Sequence, residues 1–269
     1  MTAATSSYSV PAMAHRAPAA ARHGLPFSVP ARHNPRLQAL VERIDSDEEL
    51  RQLWRSANVN AADRSGLGDH GETHVRIVAN AGLRLLRLLL DAGHRSGAVA
   101  DHGLARADAE VLVVLAAALH DLGLSVHVAD HASLGLMLAH SKAAQLLDGL
   151  YPVRERTVLV TEALHAVSAH HHERPALTLE AAVLEIADVL DLSEGRLGGP
   201  EIDGGGVEAV HIGRGTERPV RVEIRAGRVE RLPIVIERLR ARLAQAPLAT
   251  ALEFIATVPG AEPHLFQIS

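Results

Sequence analysis

The chain has 269 residues, with 27 lysine and arginine residues against 32 aspartate and glutamate residues and a formal net charge of −5. This balance argues against a surface that attracts nucleic acid or an anionic membrane. The chain contains no cysteine, which excludes disulfides, thiolate zinc sites and cysteine nucleophiles. Hydrophobic residues make up 47% of the chain but aromatic residues only 2%, so we expect a core of packed helices.

The first 35 residues are rich in alanine, serine and proline and contain no acidic residue. We interpret residues 1–35 as a flexible tail. Arg16, Arg22 and Arg32 leave an organellar transit peptide as the alternative. The most apolar stretch of the chain, Val111–Leu119, is shorter than the roughly 20 residues that a membrane-spanning helix needs. We therefore expect a cytoplasmic protein without membrane contact.

Helical periodicity begins near residue 36 and continues to about residue 197. The predicted helices are 37–44, 48–54, 73–92, 107–122, 132–150, 154–170 and 179–192. The segment 107–122 is apolar on nearly all sides, which is typical of a central helix. Gly82 predicts a close contact between two helices. We expect an all-helical domain over residues 36–197.

The periodicity changes after two glycine-rich segments, 198–200 and 204–206. Residues 207–212 and 220–224 alternate like strands, residues 232–244 are predicted to form a helix, and residues 251–258 a third strand. Residues 207–269 are therefore expected to form a small β-β-α-β unit, so the fold class is mainly α with a C-terminal α+β unit. The strands of this unit could pair in a homodimer.

Ionisable residues interrupt the apolar helices at three places. His120 and Asp121 end the most apolar helix, where their burial would be costly without a partner. Asp188 interrupts an apolar stripe, and His74 lies near the start of its helix. Imidazole and carboxylate ligands together suit Mn, Fe, Co, Ni or Zn, with Mg as a further alternative. The competing interpretation is a helix cap at His120–Asp121 and a solvated charge at Asp188.

The succession of His74, His120-Asp121 and Asp188 resembles the HD-domain metal-dependent phosphohydrolase superfamily over roughly residues 65–197. The resemblance implies an all-helical fold in which these four residues bind one divalent metal ion. The sequence departs from the cyclic-dinucleotide phosphodiesterase branch, because Leu-Gly-Leu follows the His-Asp pair and no Gly-Tyr-Pro occurs.

Two further histidines extend the resemblance. His131 and His170 are similar in position to the additional histidines of HD subfamilies that bind a second metal ion. Two ions would share a water nucleophile and bind the phosphoryl oxygens. A capping or surface histidine is the alternative for each. The resemblance thus implies one or two divalent ions.

Four residues are candidates for contacts with a substrate. His127 and His165 could act as general acids or bind phosphate, because imidazole titrates near neutral pH. Arg196 follows the last helix, as in some hydrolases of the superfamily, and its guanidinium matches phosphate oxygens. Lys142 is the one lysine of the chain. A surface arginine and a chance lysine are the alternatives.

These residues predict a hydrolase that uses a metal-activated water to cleave a phosphoester or phosphoanhydride, and we expect the substrate to be a nucleotide. The expected partner is a small phosphate compound, not nucleic acid. A non-catalytic HD module that binds a nucleotide or metal, and signals through its C-terminal unit, is the alternative function. A helical protein with scattered histidines is the third hypothesis, and it predicts no stoichiometric metal.

Overall fold

The computed structural model describes residues 26–171, 174–193, 207–260 and 262–266. They form a helical domain followed by a small α+β unit, which confirms the predicted fold class. Arg196 and the two glycine-rich segments lie outside the described residues. Within the described ranges, no helix combines the length and the apolar character that crossing a membrane requires.

The helical domain contains eight α-helices among the described residues. They are α1 (Pro35–Ser46), α2 (Glu48–Asn58), α3 (Glu72–Asp91), α4 (Gly97–Ala100), α5 (Arg106–Leu119), α6 (His131–Leu146), α7 (Val153–Ala169) and α8 (Leu179–Val189). Seven of them match predicted helices, whereas the four-residue helix α4 was not predicted. The predicted helix 107–122 ends earlier, at Leu119, and a 3-10 turn follows at Leu122–Ser125.

Helix α5 is the centre of this domain. It contacts α1, α3, α4, α6, α7 and α8, and Val111–Leu119 are all buried. A helix that is apolar on every side can be buried on every side, as the sequence predicts. Gly82 of α3 faces Val113 of α5, where a Cβ atom would lie 3.0 Å from Val113 Cγ1. The glycine therefore allows α3 to pack closely on α5.

The described residues before the predicted boundary at residue 36 contact the helical domain. Phe27 is only 4% exposed, its ring centroid lies 5.9 Å from that of Trp54, and its amide donates to Asp45 Oδ1. Asn34 caps α1 by accepting a hydrogen bond from the amide of Leu37. Residues 26–35 of the segment predicted as a tail therefore lie against the helical domain, where the aromatic side chain of Phe27 gains burial.

Trp54 connects α2 to the end of the central helix. The indole is 2% exposed, and its Nε1–H donates to the carbonyl oxygen of Ala118 at 2.8 Å. Buried indoles usually find such a partner. The bond joins α2 to the last turn of α5, directly before His120.

Two glycines bring the turn after α5 against the start of α6. A Cβ atom on Gly123 would lie 1.8 Å from the carbonyl oxygen of His131 and 2.6 Å from the amide nitrogen of Gly135. A Cβ atom on Gly135 would lie 2.9 Å from the amide nitrogen of Gly123. The backbones therefore approach so closely that neither position accommodates a side chain, and this approach places His131 near the end of α5.

Among the described residues, the C-terminal unit contains a four-stranded sheet and one α-helix. Its elements are β1 (Val207–Arg214), β2 (Val220–Ala226), α9 (Leu232–Leu243), β3 (Leu252–Thr257) and β4 (His264–Phe266). The strand order is β1-β2-β3-β4, with β2 and β3 parallel and the two outer pairs antiparallel. Helix α9 is the crossover that a parallel pair requires. The short strand β4 was not predicted.

The C-terminal unit packs directly on the helical domain. Strand β1 contacts α3, where Arg84 Nε donates to the carbonyl oxygen of Ile212 at 3.1 Å. Helix α9 contacts α8. The unit therefore lies beside the two helices that carry His74 and Asp188.

Candidate metal centre

Four of the predicted metal ligands meet at the ends of three helices. His74 lies in the first turn of α3, His120 and Asp121 directly follow α5, and Asp188 lies in the last turn of α8. His74 Nε2 lies 3.1 Å from His120 Nε2, 3.4 Å from Asp121 Oδ2 and 3.3 Å from Asp188 Oδ1. All four residues are at most 4% exposed. The helical domain thus brings together the residues that the sequence pattern selected.

The other two predicted ligands lie on the opposite side of Asp121. His131 Nε2 and His170 Nε2 lie 3.5 Å and 3.6 Å from Asp121 Oδ1, and 3.3 Å from each other. His171 adds a third ring, with its centroid 4.5 Å from that of His131. The carboxylate of Asp121 therefore lies between two groups of histidines. Its Oδ2 faces the first group, and its Oδ1 faces the second.

Four of the five histidines in these groups share one orientation, in which Nδ1 lies against an acceptor and Nε2 faces the cluster. The acceptors are Asp191 Oδ2 for His74, and the carbonyl oxygens of Ala117 for His120, Val128 for His131 and Val167 for His170. A carbonyl or ionised carboxylate can only accept, so Nδ1 carries a proton and Nε2 is the ring nitrogen left to face the cluster. This is the arrangement in which proteins hold metal-binding histidines.

The geometry fits a bound cation. His74 Nε2 and His120 Nε2 lie only 3.1 Å apart, so a proton or a metal cation is needed between the two nitrogens to offset the repulsion of their lone pairs. Asp121 Oδ2 is buried and has no hydrogen-bond partner among the described residues, a costly state for a carboxylate oxygen. Imidazole nitrogens and carboxylate oxygens that converge in this way form a ligand set for a divalent transition metal.

The cluster also shifts the pKa values of its members. Burial alone would raise the pKa of Asp121, but the adjacent imidazoles of His120, His131 and His170 lower it well below its usual value. Burial lowers the pKa of His170. Burial and the neighbouring rings of His170 and His131 lower the pKa of His171 to about 3. Burial would lower the pKa of His131, but the hydrogen bond to Asp121 raises it. Metal binding needs an ionised carboxylate and neutral imidazoles, so the directions for Asp121, His170 and His171 favour it and that for His131 opposes it.

A cavity of about 310 Å³ opens onto the second group of histidines. Its lining includes Asp121, His131 and His171 from the helical domain, and Arg238 and Arg242 from α9. The cavity is therefore closed on one side by the C-terminal unit, and its wall there is positively charged.

His127 and His165, two further predicted site residues that the structure describes, lie outside these two groups. His127 is exposed, and its Nδ1 accepts a hydrogen bond from the amide of Ala129. His165 accepts one from the amide of Leu177 through Nε2. Neither is among the described residues that line the cavity. Their roles as catalytic residues stay predictions, as does that of Arg196, which lies outside the described residues.

Lys142 has a structural partner in the folded chain. Its side chain is 4% exposed, and its Nζ lies 2.8 Å from Asp47 Oδ2 and 2.6 Å from Glu49 Oε2 at the start of α2. It also donates to Gln145 Oε1. Burial lowers the pKa of this lysine, but the two carboxylates raise it above its usual value. The ion pair accounts for a buried lysine here, and the structure does not bring Lys142 to the cavity that the described residues line.

The family model for the HD domain matches residues 71–193, the segment that carries both groups of ligands. The chain is also 30% identical over 194 residues to the uncharacterized protein MJ1020 of Methanocaldococcus jannaschii, across 69% of this chain and 75% of the relative. The chain belongs to the HD-domain superfamily. The His74, His120-Asp121 and Asp188 pattern of the HD domain thus meets at one point of the fold.

Several residues around the HD-domain ligands were not identified from the sequence. Asp191 follows Asp188 by three positions. This spacing places two residues on one face of a helix, so it could have identified Asp191 as a neighbour of the ligand Asp188. His171 follows His170 directly and was left without a role. Arg238 and Arg242 lie in the C-terminal unit, where no local pattern indicates that they reach the HD domain.

Proposed function

We propose that this HD-domain protein is a metal-dependent phosphohydrolase that cleaves a phosphoester or phosphoanhydride of a nucleotide. The observation that supports it is the position of Asp121, whose Oδ2 faces His74 and His120 while its Oδ1 faces His131 and His170. A carboxylate that bridges two groups of nitrogen ligands is suited to a pair of ions.

The proposed first ion is held by His74, His120, Asp121 and Asp188, and the second by Asp121, His131 and His170. His171 is a further candidate ligand, because its ring atoms lie within 4.8 Å of those of His131 and His170. Mn, Fe, Co, Ni and Zn all accept such ligands. When bound, such ions supply Lewis acidity, which lowers the pKa of water and neutralises charge on a phosphoryl group.

The protein's own contribution is to hold the ligands in place before substrate binds. Each imidazole is fixed by its Nδ1 bond, so its Nε2 cannot rotate away from the cluster. The helix ends that carry the ligands surround the cluster with apolar side chains of α5 and α8. Polar groups fixed in a water-poor site need little reorganisation during the reaction, which lowers its barrier.

The first experiment measures metal content by elemental analysis, together with phosphate release from a panel of nucleotides and simple phosphate monoesters. We expect about two equivalents of metal and turnover that is lost on chelation. Asp121→Asn should lose metal and more than about 100-fold of turnover. Replacing a ligand should cost more than replacing a residue that only orients a ligand, for which about 100-fold is the upper limit. Asp101→Asn, at an exposed position, is the matched control.

Each outcome separates the functions that the sequence left open. Full turnover by Asp121→Asn would contradict the proposal. Stoichiometric metal without turnover on any phosphate compound would favour a non-catalytic HD module. No bound metal after reloading would indicate a purely structural helical protein.

A further inference from the structure

One face of helix α9 packs within the C-terminal unit, and another face is directed toward the HD domain. Its buried face consists of Leu232, Val235, Leu239 and Leu243. Arg238 and Arg242 are four positions apart and therefore lie on one side of the helix, both half-buried. Arg240, between them in sequence, is exposed. Two arginines of α9 thus face the helical domain while their neighbour faces solvent.

Both arginines line the cavity that contains Asp121, His131 and His171. The guanidinium of Arg242 also reaches the first group of ligands, because its Nη2 lies 2.9 Å from Asp188 Oδ2. The other oxygen of Asp188 lies 3.3 Å from His74 Nε2. Arg242 therefore contacts one oxygen of a ligand carboxylate whose second oxygen points into the cluster.

The chemistry of this wall selects an anion. Guanidinium stays charged at all physiological pH values and presents paired N–H donors that match two oxygens of a phosphate. The rest of the cavity supplies imidazoles and one shared carboxylate, whose charge bound metal would neutralise. A cavity of about 310 Å³ holds a phosphoryl group with part of its leaving group. The ligand that fits is an organic phosphate.

We infer that α9 supplies the phosphate-binding wall of the active site: Arg238 binds the phosphate of the substrate, and Arg242 positions Asp188 and contributes to the same wall. This assignment rests on the proposed function for the identity of the ligand. It makes the C-terminal unit a part of the substrate site, which a helical HD domain without this unit would lack.

The test measures the binding of inorganic phosphate to the full-length, Mn²⁺-loaded protein by titration calorimetry. Arg238→Gln should bind phosphate roughly 10- to 100-fold more weakly than the wild type, the loss expected for a hydrogen bond to a charged group. Its metal content should be unchanged. Arg240→Gln, on the exposed side of the same helix, should match the wild type in both measurements.

Arg242 requires a second readout, because it acts on Asp188 as well as on the anion. Arg242→Gln should weaken both phosphate binding and Mn²⁺ binding, because its shorter side chain does not reach Asp188 Oδ2. Arg242→Lys should restore much of the metal affinity, because its Nζ can still donate to that oxygen. Circular dichroism and thermal unfolding establish that each variant is folded. A folded Arg242→Gln protein with the metal affinity of the wild type would overturn the positioning role.

The outcomes distinguish this inference from the proposed function. If the wild type hydrolyses phosphate compounds but Arg238→Gln binds phosphate normally, the wall assignment is wrong and the hydrolase stands. If no phosphate compound is hydrolysed yet phosphate binding depends on Arg238, the wall assignment stands and the hydrolase fails. A wild-type protein that binds no phosphate when loaded with Mn²⁺ would overturn the inference directly.

Discussion

His74 is held between two carboxylates of the same helical region. Its Nδ1 lies 2.7 Å from Asp191 Oδ2, and its Nε2 lies 3.3 Å from Asp188 Oδ1. Burial would raise the pKa of Asp191, but the hydrogen bond to His74 lowers it, so this carboxylate stays ionised as an acceptor. Asp191 thereby fixes which nitrogen of the ring faces the metal ligands.

Removing that acceptor should weaken metal binding without removing a ligand. We expect Asp191→Ala to reduce metal affinity roughly 10- to 100-fold, the usual cost of losing the partner of a metal-binding histidine. Asp191→Asn should lose less, because an amide oxygen can still accept from Nδ1. Competition with a chromophoric chelator measures the affinities. Wild-type affinity in Asp191→Ala would show that His74 needs no such orientation.

Substitution of His131 tests whether the two groups of ligands bind separate ions. We expect His131→Gln to keep one equivalent of metal, since the group around His74 and His120 remains intact, and to lose the second. His140→Gln is the matched control, because His140 lies on the same helix at an exposed position. Elemental analysis after dialysis gives the stoichiometry. Loss of both equivalents in His131→Gln would indicate that the groups bind metal only together.

The contact between Gly123 and the start of α6 should be intolerant of a methyl group. Gly123→Ala would place its Cβ 1.8 Å from the carbonyl oxygen of His131, so the backbones must separate. We expect a loss of about 3 kcal/mol in the free energy of unfolding, at the upper end for overpacking, measured by urea denaturation.

The control for that substitution is Gly213→Ala. Its Cβ would have only the ring of His211 as a neighbour, at an ordinary contact distance of 3.6 Å. We expect little change in stability there. If Gly123→Ala is as stable as Gly213→Ala, the close approach does not hold the turn against α6.

A buried carboxylate of the C-terminal unit predicts a dependence of stability on pH. Burial would raise the pKa of Glu253, but hydrogen bonds from the amides of Thr216, Glu217 and Arg218 and from the side chain of Arg221 lower it to about 2. Because folding lowers the pKa of Glu253, its ionised carboxylate stabilises the fold fully at pH values above the pKa that this group has in the unfolded chain. This stabilisation is lost as the pH falls through the pKa of Glu253 in the folded protein.

Glu253→Gln should therefore be less stable than the wild type near neutral pH, by up to about 3 kcal/mol. The difference should shrink as the pH is lowered from about 4.5 toward 2, because the wild-type carboxylate then takes up a proton. Urea denaturation at a series of pH values measures it. Glu217→Gln, at an exposed position of the same loop, should show no such trend. A constant difference between Glu253→Gln and the wild type would refute the assignment.

The helical domain and its central ligands were predictable because local sequence determines them. His120 and Asp121 stand out at the end of a helix that is otherwise apolar, and Asp188 breaks an apolar stripe. The family resemblance then assigned these residues to one centre. Helix periodicity located seven of the eight helices of this domain among the described residues, since each has an apolar face that packs on its neighbours.

Features that depend on contacts between distant segments were not predictable. Arg242 reaches Asp188 across 54 positions of sequence, and its helix carries no motif. Phe27 packs on Trp54 and its amide donates to Asp45, both in helices that follow it by about twenty residues or more. Lys142 suggested a phosphate ligand by its rarity, but its partners Asp47 and Glu49 come from a helix nearly a hundred residues away along the chain. Periodicity contains no information about such pairings.

The hydrogen bond from Trp54 to Ala118 gives the protein an internal optical probe. The chain has one tryptophan, so its indole fluorescence reports on the surroundings of Trp54 alone. The carbonyl group that this indole contacts belongs to Ala118, two residues before His120. Emission from an indole depends on the polarity and the hydrogen bonding around its ring. Any displacement of the end of α5 is thus visible in the intrinsic spectrum, without a label and without altering any residue.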